Sequence, residues 1–262
     1  MTIAIERERA HRTPGLVTLA VAVAAWLGFL VWSIDMGMGP EPGTMGLGVV
    51  GFFAMWVLMM TAMMLPAMAP LVALYARTIQ NKPNRLMAFA GGYLLAWTST
   101  GAIAYVLAWS FDRIAEDNST AGQALAVGAL ATCGVYQLTP LKRWCLRHCR
   151  SPIGHLIHYA GYRGRSRDLR AGLHHGLLCI GCCWMLMVAL LVVGVMNVAA
   201  MLVLTALIVF EKRWRFGEQL AKLAGIGAIV LAVAVAFQPS LAPGLHHSGD
   251  SSVTDDMSDM GM

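Results

Sequence analysis

The chain has 262 residues, of which 58% are hydrophobic and only 13% are charged, and its mean hydropathy is +0.63. This composition is typical of a membrane protein and excludes an ordinary soluble domain. The net charge of +5 is small, and the chain contains neither a basic stripe nor a phosphate-binding loop, so we expect no nucleic-acid binding and no nucleotide hydrolysis.

The beginning of the chain predicts a short polar segment followed by a first membrane span. Residues 1–14 are polar and basic, and the apolar run from Gly15 to Ser33 is about long enough to cross a bilayer. The run is too long for the core of a signal peptide, and no small-residue cleavage site follows it, so we expect it to stay as a span. The next loop, 34–44, contains no lysine or arginine.

The second predicted span is rich in methionine. Six methionines lie between Ala54 and Pro70, and helical spacing would put them in two neighbouring rows: Met55, Met59 and Met63 in one, and Met60, Met64 and Met68 in the other. Pro66 and Pro70 are predicted to interrupt this helix, because proline has no N–H to donate. Thioethers suit copper(I), although methionine is also an ordinary core residue.

Five more apolar segments predict the remaining spans. Four of them lie at about 86–111, 121–138, 172–193 and 223–237. The fifth lies between the last two of these and ends near Glu211 and Lys212. The connection at 140–171 is predicted to be the longest loop within the membrane domain. It is strongly basic, which we interpret mainly as a topology signal, with a partner or lipid surface as the alternative.

Lysine and arginine are distributed unevenly between the loops, and this predicts the topology. The N-terminal segment and the loops near residues 82, 155 and 215 are basic and alternate with loops that are not. Basic loops stay on the cytoplasmic side, so we expect the N-terminus inside and the C-terminus outside. The predicted fold class is all-α: a polytopic transmembrane helical bundle of about seven spans over 15–237, with a cytoplasmic segment, 1–14, and a disordered external tail, 238–262.

The cysteines fall either in the basic loop or in predicted membrane helices, and none falls in an outer loop. They are Cys133, Cys145, Cys149, Cys179, Cys182 and Cys183. The sequence therefore predicts no external disulfide framework, and we expect these thiols to stay reduced and able to bind metal.

The fifth predicted span carries the strongest chemical pattern. It contains His174 and His175, followed by Cys179, Cys182 and Cys183 on one face of the helix. Thiolate and imidazole suit copper(I) or zinc. Cysteines also serve as small residues where helices pack in lipid, but three of them within five residues favour a metal site. The methionine rows lie at a similar depth and would face this cluster if the two helices are neighbours.

Two weaker patterns accompany this cluster. Cys145, His148 and Cys149 lie within one helical turn at the predicted cytoplasmic end of the fourth span. The external tail contains soft ligands, which we interpret as a low-affinity copper collector, with a disordered acidic tail as the alternative. These tail residues are His246, His247, Met257, Met260 and Met262.

The predicted spans contain no carboxylate and no lysine. A proton-driven pump usually needs ionisable residues within the membrane as a relay. Their absence from the predicted spans favours passive transfer of a metal between soft ligands.

Several motifs resemble a known family. They are Met55-Trp56 with Met59-Met60-x2-Met63-Met64-x-Pro66; Gly92-Tyr93-x3-Trp97; Gln137-x-Thr139-Pro140-x-Lys142; Cys145 and Cys149 with Arg150-x-Pro152; Gly181-Cys182-Cys183-Trp184-x-Leu186-Met187; Gly194-x-Met196-Asn197; and Glu211-Lys212. This combination covers most of 50–212 and resembles the bacterial predicted metal-binding integral membrane proteins, which include the polyphenol-oxidase (tyrosinase) copper-chaperone membrane protein. The resemblance implies an inner-membrane protein that delivers copper to an acceptor enzyme such as a polyphenol oxidase.

We therefore predict a copper(I)-binding membrane protein that passes its metal on and is not an enzyme. The predicted ligands come from the second and fifth spans, with one auxiliary imidazole and the collector in the tail. They are Met55, Met59, Met60, Met63, Met64, Cys179, Cys182 and Cys183, with His175 as the auxiliary ligand, and His246, His247, Met257, Met260 and Met262 in the tail.

Three other functions stay open at this point. Cys179 and Cys182 are spaced like the redox pair of a membrane thiol oxidoreductase. The same sulfur ligands would suit a copper-permeable channel or exporter. The methionine rows would also suit a structural subunit of a larger membrane complex. The sequence leaves open zinc at the cysteines, the acceptor enzyme, the direction of copper flow and the oligomeric state.

Overall fold

The computed structural model describes residues 2–35, 47–117, 119–194 and 197–238, and within them the chain is α-helical with no β-strand. The prediction of an all-α protein is confirmed. The helices of the described residues are α1 (Thr2–Asp35), α2 (Val49–Thr78), α3 (Pro83–Asp117), α4 (Ser119–Leu138), α5 (Pro140–Cys149), α6 (Pro152–Ala160), α7 (Arg167–Val193), α8 (Val198–Arg213) and α9 (Gly217–Phe237).

Five of these helices are long and apolar enough to cross a membrane, namely α1, α2, α3, α7 and α9. Helices α4 and α5 would add a sixth span if the pair, bent by 65°, is counted as one. Helix α8 has 16 residues, which at about 1.5 Å per residue is shorter than the roughly 30 Å hydrocarbon core. A multi-pass membrane protein is therefore indicated, whereas seven spans and the orientation of the termini stay predictions.

The five apolar helices differ in how deeply they are buried in the protein. About one fifth (22%) of the apolar window of α1 and of α9 is buried, compared with 56% for α2 and α7. Lipid can cover the outer faces of α1 and α9, whereas α2 and α7 are enclosed by other helices. The methionine-rich and cysteine-rich segments thus lie on the two most enclosed spans.

Close helix packing holds α7 in position against α3. A side chain at Gly172 would collide with the backbone carbonyl of Phe89, and one at Gly92 would collide with that of Leu169. Small residues at such positions let two membrane helices approach until their backbones touch. Helix α2 packs mainly on α1 and α3, and it shares little direct backbone contact with α7.

Two predictions about helix boundaries are wrong. Helix α2 runs without interruption through Pro66 and Pro70, because membrane helices tolerate proline where neighbouring groups satisfy the freed carbonyls. Cys145 and Cys149 do not continue the helix of the fourth span but lie on a separate helix, α5. This helix begins at Pro140, after Thr139, whose hydroxyl caps it by accepting the Lys142 backbone N–H at 3.2 Å.

The predicted basic loop at 140–171 largely folds back into the bundle as α5 and α6. As a result, ionised side chains do lie within the helical body, contrary to expectation. Lys142 and Glu211 are 0% and 1% exposed and form an ion pair with an N–O distance of 2.8 Å. A lack of ionisable groups in the helical body therefore no longer favours passive transfer of a metal.

Candidate metal centre

The thiols of α7 form a compact buried cluster. The sulfurs of Cys179, Cys182 and Cys183 all lie within 4.8 Å of one another, and each residue is at most 1% exposed. The spacing of three and four residues puts them on one helix face, as the sequence predicted. Three or more His, Cys, Asp or Glu side chains that lie close together can hold a metal ion. Within the part of the chain that the structure describes, these three thiols are the one group that meets this condition. We refer to them as the thiol cluster.

A fourth sulfur approaches the thiol cluster from α5. The Cys149 Sγ lies 3.7 Å from the Cys182 Sγ. Sequence reasoning grouped Cys149 with Cys145 and His148 instead. His148 is exposed, and its Nδ1 lies 2.9 Å from the carbonyl of Trp144, so the structure does not gather these three residues into one site.

Two lysines contact the thiol cluster, and sequence reasoning missed both. Lys212 donates to the Cys179 sulfur at 2.8 Å, and Lys142 donates to the Cys182 backbone carbonyl at 2.5 Å as well as to Glu211. A cation in contact with sulfur stabilises the thiolate strongly where little water is present. Both lysines belong to motifs that carry the family resemblance, Glu211-Lys212 and Thr139-Pro140-x-Lys142, but the apolar pattern puts them at the end of a span and in a loop.

Tyr93 of α3 connects the cysteine helix to the methionine helix. Its fully buried hydroxyl lies 3.1 Å from the Cys179 sulfur and 3.4 Å from the backbone carbonyl of Met64, to which it donates. A second link is made by Tyr75 of α2, which donates to Asp168 at the start of α7 at 2.5 Å. Helices α2 and α7 are thus joined through side chains rather than through direct backbone packing.

The methionine rows face the interior of the protein. All six side chains are at most 2% exposed: Met55, Met59, Met60, Met63, Met64 and Met68. They belong to the same contiguous apolar core as the thiol cluster. Two of the three predicted sets of sulfur ligands therefore lie in one water-excluded region.

His175 lies one helical turn before Cys179 and is 5% exposed. Its ring stacks on Tyr93, with centroids 5.8 Å apart, and lies 4.9 Å from the ring of His155 on α6. Burial lowers the pKa of the His155 imidazole, which favours the neutral form that binds metals. Sequence reasoning missed His155, because it lies in the segment interpreted as a basic loop.

The predicted copper collector in the tail lies outside the described residues. This applies to His246, His247, Met257, Met260 and Met262.

Comparison with protein families matches the sequence to a known group. A family model described as "PpoB2: Copper chaperone" matches residues 53–235, which include the methionine rows, the thiol cluster and both lysines. The comparison with curated proteins found no match, and neither did the comparison with solved structures. Because the family model covers most of the chain, the protein belongs to the PpoB2 copper-chaperone family.

Proposed function

We propose that the protein holds copper(I) at the thiol cluster within the membrane and delivers it to a copper-requiring enzyme. The observation that carries this proposal is the gathering of Cys179, Cys182 and Cys183 within 4.8 Å on a buried face of α7. Thiolate ligands select soft ions such as copper(I), and membership of a copper-chaperone family favours copper over zinc.

Charge balance supports a metal-loaded cluster in this position. Two thiolates around one copper(I) ion carry one negative charge in excess, and a buried unpaired charge is costly. The ammonium of Lys212, 2.8 Å from the Cys179 sulfur, supplies a compensating positive charge. The Lys142–Glu211 pair is neutral as a whole and holds the carbonyl of Cys182 in place. It therefore leaves the positive charge of Lys212 free to balance the thiolates.

The methionines of α2 would complete the transfer route. Thioethers bind copper(I) without losing a proton and add no charge, so they suit transient binding beside a thiolate site. We assign this role to Met55, Met59, Met60, Met63 and Met64, with His175 as an auxiliary ligand. The proposal includes the inner bacterial membrane, about seven spans with the N-terminus inside, and copper collection by the external tail.

The test is the copper content of the purified protein. The double variant Cys182→Ser/Cys183→Ser should lose the bound copper(I), because serine oxygen is a poor ligand for this soft ion. Cys133→Ser is the matched control, since Cys133 is a buried thiol of α4 outside the gathered set, and it should keep wild-type copper. Equal copper in the double variant and the wild type would remove the thiol site.

A thiol oxidoreductase is the second candidate, and one distance favours it. The sulfurs of Cys149 and Cys182, from different helices, lie 3.7 Å apart and would need little movement to form a disulfide. All six cysteines, which lie in the described part of the chain, are free thiols. A mixed disulfide trapped on a partner protein by Cys149→Ser, but not by Cys133→Ser, would support this function over copper delivery.

A further inference from the structure

A histidine-lined cavity of about 560 Å³ lies between α5, α6 and α7. Four of the eight histidines of the chain line it: His148, His155, His158 and His174. We refer to this space as the histidine cavity. The family description gives this cavity no role, and its lining residues are not part of the thiol cluster. Its imidazoles are ligands for copper and zinc, which makes it a candidate metal site.

The burial of the histidines changes along the cavity. His148 and His158 are exposed, His174 is partly buried, and His155 is 6% exposed. The histidine cavity therefore has an outer end accessible from the surface and an inner end within the protein. Arg147 also lines the cavity, but its guanidinium is paired with Glu218 at 2.7 Å, which offsets its repulsion of a metal cation.

Two imidazole nitrogens lack partners in the described part of the chain, one on His155 in the cavity lining and one on the neighbouring His175. Among the described residues, neither the Nε2 of His155 nor the Nδ1 of His175 has a hydrogen-bond partner, although both atoms are buried. The two rings lie 4.9 Å apart at an interplanar angle of 87°. Buried ring nitrogens are normally satisfied, so these two atoms are available as ligands for a metal ion.

Ligand groups continue from the outer end to the thiol cluster. The rings of His158 and His174 lie 5.0 Å apart, and the Tyr159 hydroxyl lies between His174 and His155, at 3.5 and 3.4 Å from their Nδ1 atoms. The next neighbour inward is His175, one helical turn from Cys179. These neighbouring side chains lie 3.4 to 5.0 Å apart, so small side-chain movements could pass a copper ion from one to the next.

The arrangement favours passage over storage. Within the described residues, the three thiols lie together as one cluster, whereas the histidines are in contact only two at a time along the path. Imidazole is a less soft ligand for copper(I) than thiolate, so copper would pass the histidines and settle on sulfur. We propose that the histidine cavity is the port through which copper(I) exchanges with the thiol cluster, and that His155 and His175 bind it in transit. This inference rests on the proposed copper function of the thiol cluster.

The test measures how fast copper leaves the loaded protein. Full-length protein is loaded with copper(I) without oxygen, and its transfer to the soluble chelator bathocuproine disulfonate is followed by absorbance. His155→Phe keeps an aromatic ring but removes the ligand atom, so we expect transfer at least about tenfold slower with unchanged copper content. Ile157→Phe is the control on the same helix, because Ile157 is exposed and does not line the cavity, and it should transfer at the wild-type rate.

A second variant covers the case in which His155→Phe does not fold. Leu178→Trp fills part of the histidine cavity while leaving every imidazole in place, and it should also slow transfer without loss of copper. Wild-type rates in the folded variants would overturn the port and leave the thiol site standing. Equal copper in Cys182→Ser/Cys183→Ser and the wild type would instead reject the proposed function, and the port with it.

Discussion

The two sulfur-rich regions of the protein are built in different ways. The thiol cluster of α7 is contacted by the ammonium of Lys212, and Lys142 donates to a backbone carbonyl within it. The methionine rows of α2 lie in the same apolar core and consist of neutral thioethers. Thiolates need a compensating charge when buried and thioethers do not. Under the proposed function, α7 would retain the metal and α2 would receive it only transiently.

Removing the charge beside the thiols should have the largest effect on this comparison. We expect Lys212→Met to weaken copper(I) binding by roughly 10- to 100-fold, since a hydrogen bond to a charged group contributes about 1.5–3 kcal/mol. Competition with a copper(I) chelator of known affinity measures this change.

The matched control for this variant is Lys212→Arg, which keeps the positive charge and should restore most of the affinity. Wild-type affinity in Lys212→Met would mean that the thiol cluster does not depend on its cation. The proposed difference between the two regions would then be wrong.

Breaking the link between the regions should have an intermediate effect. Tyr93→Phe removes the hydroxyl that contacts the Cys179 sulfur and the Met64 carbonyl. One such hydrogen bond contributes about 0.5–1.5 kcal/mol, so we expect roughly a 2- to 10-fold loss of copper affinity. Tyr105→Phe on the same helix is a suitable control, and equal affinities in both variants would argue that Tyr93 only fills space.

Changing the thioethers should have the smallest effect on stability. Met63→Leu/Met64→Leu is close to volume-conserving, so each substitution should cost less than about 1.5 kcal/mol of folding free energy. Copper should remain on the thiol cluster, but its transfer to an acceptor should slow. Thermal unfolding and chelator transfer, measured on the same preparation, separate the two effects.

A double methionine variant that transfers copper at the wild-type rate would assign the methionine rows to packing. Helix α2 would then be structural, and the thiol cluster would act without it.

Features set by local spacing could be predicted from the sequence. Cys179, Cys182 and Cys183 share a helix face by periodicity alone, and the methionine rows of α2 follow from the same geometry. The apolar runs likewise predicted the membrane-length parts of α1 and α3, Thr13–Ile34 and Pro83–Phe111, within about three residues, whereas α9 begins at Gly217 rather than near residue 223. Such features need no knowledge of which helices are neighbours.

Features that depend on tertiary packing could not be predicted in this way. The bend after Thr139 turns α5 back onto α7, which brings Cys149 and Lys142 to the thiol cluster from a segment that looked like a basic loop. Lys212 looked like the polar end of a span. His155 belongs to the nine-residue helix α6, which is too short for periodicity to distinguish it from a loop.

X-ray absorption spectroscopy at the copper edge tests the central claim most directly, because it identifies the atoms bound to the metal. For the copper(I)-loaded protein in a membrane mimetic, we predict sulfur as the dominant nearest neighbour, with that signal lost in Cys182→Ser/Cys183→Ser and kept in Cys133→Ser. Copper surrounded only by nitrogen and oxygen in the wild type would contradict a thiol-held metal within the membrane.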